Sequence, residues 1–399
     1  MENLREWISN ALNLSVLRKN RYNWVDYLRG VVILLVVYHH TYLGIQRSGI
    51  AVPTSVANAN MVFYSFRMPL FFIISGIFTS LSLTTRPVKE LVWVKYDKIF
   101  YPYLVWAFLQ VTLQIALSNF TNAERDLTDY LYILYQPRML DQFWYLPALF
   151  NSTLVFIFIK TKIKPGIALH LLIGLVFYFL SPFLNSISMI SDWMRFYLFF
   201  VIGDVISHFI FKTSVQQQLK KPYIILLSLP VFIAAQVYYL QNNVGTKIME
   251  MTPLNSFNAD RSFYVLYEVN FLFVALIGCS TLVILSFLLE KWNRLSFLRV
   301  LGYHSLYIYI THIIVVGFIR FLFINVFHIY NVGVILLTGI FFGVTIPIMF
   351  FNLLGKGPLW FLFSSRRKKT IQTPILVKEP AREILPVVKQ TIEPNISST

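Results

Sequence analysis

The residues best able to do chemistry in this chain sit inside its apolar stretches. Asp26, Arg29, His39 and His40 fall within DYLRGVVILLVVYHHTYLGI, and Arg67 falls within FRMPLFFIISGIF. An ionised side chain at the centre of a bilayer costs about 2.5–3.5 kcal/mol on insertion scales, so each needs a reason. Arg29 and His40 are 11 residues apart. At roughly 100° per residue that is about 20° beyond three full turns, so a helix carries both on one face, roughly 16 Å apart along its axis. Asp26, three residues before Arg29, is within reach of an intrahelical pair. His39 is turned about 80° away from Arg29. An imidazole with an ordinary pKa of about 6.5 can take the proton of a hydroxyl near neutral pH, or carry a transferred group. A guanidinium from the second stretch, at similar depth, can stabilise a developing oxyanion. The plainer alternative is helix-to-helix hydrogen bonds and ion pairs such as Asp26–Arg29.

Other polar residues carry less. Asp204 is spaced to pair with His208 one turn on. Arg195, Glu268 and Arg320 fall near expected span ends, where long side chains reach the interface cheaply. His304 and His312 are eight residues apart, which turns them about 80° from each other. Trp144 and Tyr145 open an expected span, where an interfacial aromatic belt is the plain reading. The single cysteine, Cys279, lies in an apolar run, forms no disulfide framework and reads as a small buried hydrophobe. The sequence has no phosphate-binding GxxxxGK[ST] loop, no HExxH, no paired-cysteine metal pattern and no GxSxG elbow, so no metal site is expected.

These residues need elements to hold them, and the composition says which. Of 399 residues, 57% are hydrophobic and 13% charged, against about 45–50% and about 25% in soluble domains. The reading is an all-α integral membrane protein. Ten hydrophobic spans are expected, over 27–45, 61–83, 99–118, 143–159, 166–184, 193–211, 223–241, 264–289, 301–323 and 332–354, each near the roughly 20 residues that cross a bilayer. Basic residues gather in alternate connections: Arg18, Lys19 and Arg21; Arg86, Lys89, Lys95 and Lys98; Lys160, Lys162 and Lys164; Lys212, Lys220 and Lys221; Lys291, Arg294 and Arg299; Lys356 and Arg366 to Lys369. The other connections hold only Arg47, Arg125, Arg138, Lys247 and Arg261. This is the positive-inside pattern, with both termini cytoplasmic. The net charge of +16 is thus a topology signal, and no nucleic-acid partner is expected. The polar start shows no cleavable signal sequence. The expected organisation is a cytoplasmic segment over 1–21, a membrane domain over 22–363 and a disordered basic cytoplasmic tail over 364–399. YLYILY, in the long connection 119–142, is expected at the membrane interface. GIFFG, Gly339 to Gly343, matches a small-xxx-small helix-packing pattern.

Four stretches together resemble acyltransferase family three, the multi-span proteins that O-acylate bacterial glycans. DYLRGVVILLVVYHH resembles its first-helix pattern, an Arg and a His separated by ten residues, here Arg29 and His40. FRMPLFFIISGIF looks like its second-helix signature, FWYLPALF like its fourth-span opening, and LGYHSLYIYITH like its late G-x-x-S-L-x-x-Y-x-x-H segment. The resemblance runs over about 22–363. It implies an acyl-coenzyme A co-substrate used from the cytoplasmic side, with no bound cofactor. It also implies a cell-envelope glycan acceptor, membrane lipids as surroundings, and a multi-pass place in the bacterial plasma membrane. It implies a functional core of His40, Arg29 and Arg67, with Asp26, Trp144 and His312 as substrate-binding candidates. About 45 residues follow the last span, so the extracytoplasmic hydrolase-like domain of some members is not expected here. The expected activity is transfer of an acetyl- or succinyl-type group to a glycan hydroxyl. Two other classes use buried Arg and His: an exporter or flippase for a glycan or lipid-linked sugar, and a scaffold or sensor in an envelope complex. Broken half-helices or an inverted repeat would favour export, and neither is evident in the sequence.

Overall fold

A computed structural model describes residues 22–118, 125–246, 261–354 and 359–366. The expected segment 1–21 and all but the first three residues of the expected tail lie outside them. Of the described residues 86% are helical and none is in a strand, which makes the chain an all-α integral membrane protein.

The long helices are α1 (Asn23–Arg47), α2 (Thr54–Thr85), α3 (Val88–Ala116), α4 (Pro137–Ile163), α5 (Ile167–Leu184), α6 (Ser188–Ser207), α7 (Pro222–Gln241), α8 (Arg261–Trp292), the short α9 (Phe297–Tyr303), α10 (Ser305–Val326) and α11 (Val332–Leu354). Nine described helices are long and apolar enough to cross a membrane, and each coincides with an expected span. The remaining expected span, 193–211, forms α6, which is 20 residues long but carries Asp192, Arg195 and Asp204. Segments α3, α4 and α10 each include one π-helical stretch.

Two helices act as hubs. α1 packs against α2, α8, α9, α10 and α11, while α6 packs against α2, α4 and α5, so α2 joins the two groups. α7 lies at the periphery, with Leu226 and Leu227 both 68% exposed, as a lipid-facing helix requires.

α6 tolerates its charges because every one has a partner on a neighbour. Arg138 Nε donates to Asp192 at 2.5 Å. Arg195 makes a two-point pair with Glu268 of α8, at 2.8 and 3.0 Å, and the Tyr178 hydroxyl of α5 donates to the same carboxylate at 2.5 Å. The expectation that Arg195 and Glu268 sit cheaply near span ends is therefore corrected: both are buried and tie three helices together. Asp204 is corrected as well. Its carboxylate takes Lys160 and Ser80, each at 2.6 Å, whereas His208 reaches only its backbone carbonyl. Helical spacing brought His208 close, but a lysine from α4 offers the carboxylate a full charge. Cys279 is buried beside the Phe66 carbonyl, as a small core residue.

The α2–α6 crossing depends on two glycines. A Cβ on Gly76 would stand 2.0 Å from the Phe200 carbonyl oxygen, and one on Gly203 2.1 Å from that of Ile73. GIFFG acts likewise, bringing α11 onto Thr41 and Val37 of α1.

Gly203→Ala gains up to about 1 kcal/mol in helix propensity, but the added carbon meets backbone that cannot swing aside. We expect net destabilisation of about 1–3 kcal/mol, read as a lower unfolding midpoint in detergent; an unchanged midpoint would contradict the crossing. Glu268→Leu should destabilise by about 3–5 kcal/mol, because Arg195 loses its carboxylate in a buried site, and Arg195→Met in the same chain should recover most of it. Additive losses in that double-variant cycle would count against the pair.

Candidate functional site

Around His40 the rule that buried charge is partnered stops holding. His40 lies in the outward half of α1 in the expected orientation and forms part of the wall of a cavity of about 440 Å3. That is within the range of small-molecule sites, roughly 300–1,000 Å3. Most of the wall is apolar, supplied by Leu43 of α1, Leu113 and Leu117 at the end of α3, and Ile313, Ile314 and Phe318 of α10. Arg47 and Asp141 also line it and are paired to each other at 2.9 Å. Arg320, in the last turn of the α-helical part of α10 as expected near a span end, lies against Gly44 on the same wall.

His312 of α10 meets His40 ring to ring, with centroids 5.1 Å apart. Its Nδ1 is 2.9 Å from the Ile308 carbonyl oxygen and 2.8 Å from that of Tyr309. Carbonyls only accept, so Nδ1 carries the proton and Nε2 carries the lone pair. That Nε2 is buried without a partner, in a residue 0% exposed. The result is a fixed neutral tautomer offering a free acceptor next to His40.

His39 is turned to the other side, as its helical position predicts. Its Nδ1 is 2.9 Å from Asn60 Oδ1 of α2, and its ring lies 4.9 Å from that of His40. Arg67 of α2 is 3% exposed. No carboxylate lies within ion-pair distance of it among the described residues, and its one hydrogen bond is a long one, 3.4 Å, to the Leu35 carbonyl. Its charge acts on both His39 and His40.

Arg29 and Asp26 are at the opposite end of α1. The Arg29 guanidinium lies over the Phe78 ring at 5.6 Å, and its charge acts on Lys95, whose Nζ donates to Thr79 at 2.8 Å. Asp26 is buried where the α9 backbone at Gly302 crosses it. Neither lines the cavity. Trp144 is also apart from it: Arg138 covers its ring at 4.8 Å, and Phe196 packs beside it at 5.4 Å.

The two ends of α1 are joined through Tyr309, together with Tyr145, which is expected in an interfacial aromatic belt. Tyr309 is 6.0 Å from His312, and Tyr145 is 5.1 Å from Tyr309, ring to ring. The Tyr145 hydroxyl is beside Ser75 and within reach of the Arg29 charge. A polar ladder of His40, His312, Tyr309 and Tyr145 thus crosses the apolar middle of the bundle. The late segment held the signal, since Y-x-x-H places Tyr309 and His312 one turn apart.

Chemically, the site combines an imidazole at a cavity wall, a second imidazole with a fixed free nitrogen and a buried cation without a carboxylate. That set can remove a hydroxyl proton and stabilise an oxyanion. Among the described residues no group of three His, Cys, Asp or Glu could hold a metal ion.

No curated relative matches the chain, and no solved structure does. One family, described as an acyltransferase domain, matches residues 22–363, which takes in every helix that builds the site. The helical bundle that carries His40 and its cavity is therefore that of a membrane acyltransferase by family, and the chain belongs to acyltransferase family 3.

Proposed function

We propose that the chain transfers an acetyl- or succinyl-type group from cytoplasmic acyl-coenzyme A to a hydroxyl of an extracytoplasmic glycan, in the plasma membrane of a bacterium. The observation that carries this reading is His40 at the cavity wall beside the free Nε2 of His312, in a chain of this family. Arg29 and Lys95 at the basic, inward end of the bundle suit the phosphates of the donor. The ladder of Tyr145 and Tyr309 marks the route by which the thioester reaches His40.

His40 acts as general base. It takes the proton of the acceptor hydroxyl while the oxygen attacks the thioester carbonyl. Arg67 stabilises the oxyanion of the tetrahedral intermediate. The C–S bond then breaks, and the proton passes from His40 to the leaving thiolate, giving the ester and free coenzyme A. Nε2 of His312 accepts a hydrogen bond from the acceptor and sets its angle of attack. Asp26 and Trp144 support the two ends of the path, Asp26 through the position of Arg29 and Trp144 through the loop before α4. Export without acyl chemistry has no observation in its favour.

In a reconstituted assay with radiolabelled acetyl- or succinyl-coenzyme A, His40→Ala should lower transfer by about 10²–10⁴-fold, with an unchanged elution profile and helical content. Transfer at the wild-type rate would remove His40 from the reaction. Incubated with labelled donor and no acceptor, the wild-type chain should stay unlabelled; a label that disappears in His40→Ala would instead establish an acyl-histidine relay. His312→Phe keeps the ring but removes the free nitrogen. It should lower transfer by about five- to tenfold, as expected for one lost hydrogen bond of about 1–1.4 kcal/mol. Full activity of His312→Phe would exclude the proposed contact.

A further inference from the structure

The outward half of α3 carries two glutamines one turn apart, Gln110 and Gln114, in an otherwise apolar stretch. Both line the cavity that His40 lines. Gln110 is 3% exposed. Gln142, at the start of α4, donates through Nε2 to Gln110 Oε1 at 2.8 Å. This uses the oxygen of Gln110 and leaves its Nε2 buried without a partner. Gln114 Oε1 is likewise buried and unpartnered. Gln142 is itself held in place, because its backbone carbonyl accepts from the Tyr309 hydroxyl, one turn before His312. The amide pair and the imidazole are thus braced by one residue of α10.

Leaving a buried amide donor or acceptor unmatched costs about 1–3 kcal/mol each. Packing alone would favour Leu or Met at both positions. A free amide N–H and a free amide C=O together complement a hydroxyl, which both accepts and donates. They complement a carboxylate or phosphate poorly, since ionised oxygens accept only and pair best with Arg. The apolar walls around them suit the C–H face of a sugar ring.

We infer that Gln110 and Gln114 are the acceptor-binding residues: their free amide atoms hydrogen-bond neighbouring hydroxyls of the acceptor sugar in the cavity and so choose which hydroxyl meets His40. This rests on the acyl-transfer reading above. Gln142 is a positioning residue, which orients the Gln110 amide without touching the acceptor.

The test uses the full-length chain in lipid nanodiscs, radiolabelled acetyl- or succinyl-coenzyme A as donor, and glycan extracted from producing cells that lack the protein as acceptor. Gln110→Met and Gln114→Met keep side-chain length while removing both amide atoms. Each should raise the apparent KM for the glycan about tenfold, the equivalent of one neutral hydrogen bond, with the KM for the donor and the unfolding midpoint unchanged. The double variant should also shift the position of the acyl group on the product, read by NMR of the acylated glycan. An unchanged glycan KM in both single variants would overturn the inference, and so would an equal rise in donor and acceptor KM. Gln114→Met, at a half-buried position, serves if Gln110→Met does not fold. His40→Ala in the same assay separates the two levels. Full transfer without His40 defeats the acyl-transfer site itself, whereas loss of transfer in His40→Ala with normal kinetics in the glutamine variants defeats only the role of Gln110 and Gln114.

Discussion

A charge inside a bilayer bundle must find its partner within the bundle, because no water is there to solvate it. The rest of this structure follows from that constraint. α6 carries two aspartates and an arginine, and each is met by a group on another element: Arg138 for Asp192, Glu268 for Arg195, and Lys160 for Asp204. These pairs fix which helices surround α6, since each holds in only one arrangement of neighbours. The glycine contacts at Gly76 and Gly203 then let α2 approach closely enough to seal the polar core against lipid. Such buried pairs are weak evidence for stability relative to an apolar core, but they make a wrong arrangement costly.

Several buried groups that lack a partner lie near one another around His40. Arg67 has no carboxylate within ion-pair distance among the described residues, His312 keeps a free Nε2, and Gln110 and Gln114 each keep a free amide atom. All belong to the helices that meet around His40 and its cavity. Native structures leave few buried polar groups unmatched, and each one needs a reason. In the proposed reaction the substrate, rather than the protein, matches these groups. Family membership and the unmatched groups thus point the same way from independent starting points.

Much of the scaffold was legible in the sequence. Nine apolar stretches became spanning helices, and GIFFG became a packing contact on α1. The helical face shared by Arg29 and His40, with His39 turned aside, was legible as well, because position on a helix follows from spacing alone. Partners across helices were not. Spacing alone pairs Asp204 with His208, one turn on at the end of α6, but its carboxylate is met by Lys160, 44 residues away. Arg195 and Glu268 read as separate residues near span ends and proved to be one pair. Trp144 caps the regular α-helical part of α4, and Arg138 and Phe196 take up its ring. Gln110 and Gln114 are neutral and carry a smaller insertion cost than an ionisable group, so the sequence marks them only as two amides at helical spacing in an apolar window.

The order of the residues is enough to mark a helical membrane protein, to locate its spans, and to show which residues share the polar face of α1. Those follow from hydrophobicity and helical periodicity, which are local properties. Helix packing, in contrast, is what brings His312 of α10 beside His40, sets a tyrosine ladder from α4 and α10 in the apolar middle of the stripe, and places two glutamines on the cavity wall with a third holding one of them. Helical spacing gives the direction a side chain takes from its own axis. What stands opposite it depends on how the helices pack, and here that packing is governed by buried charge pairs between residues far apart in the chain.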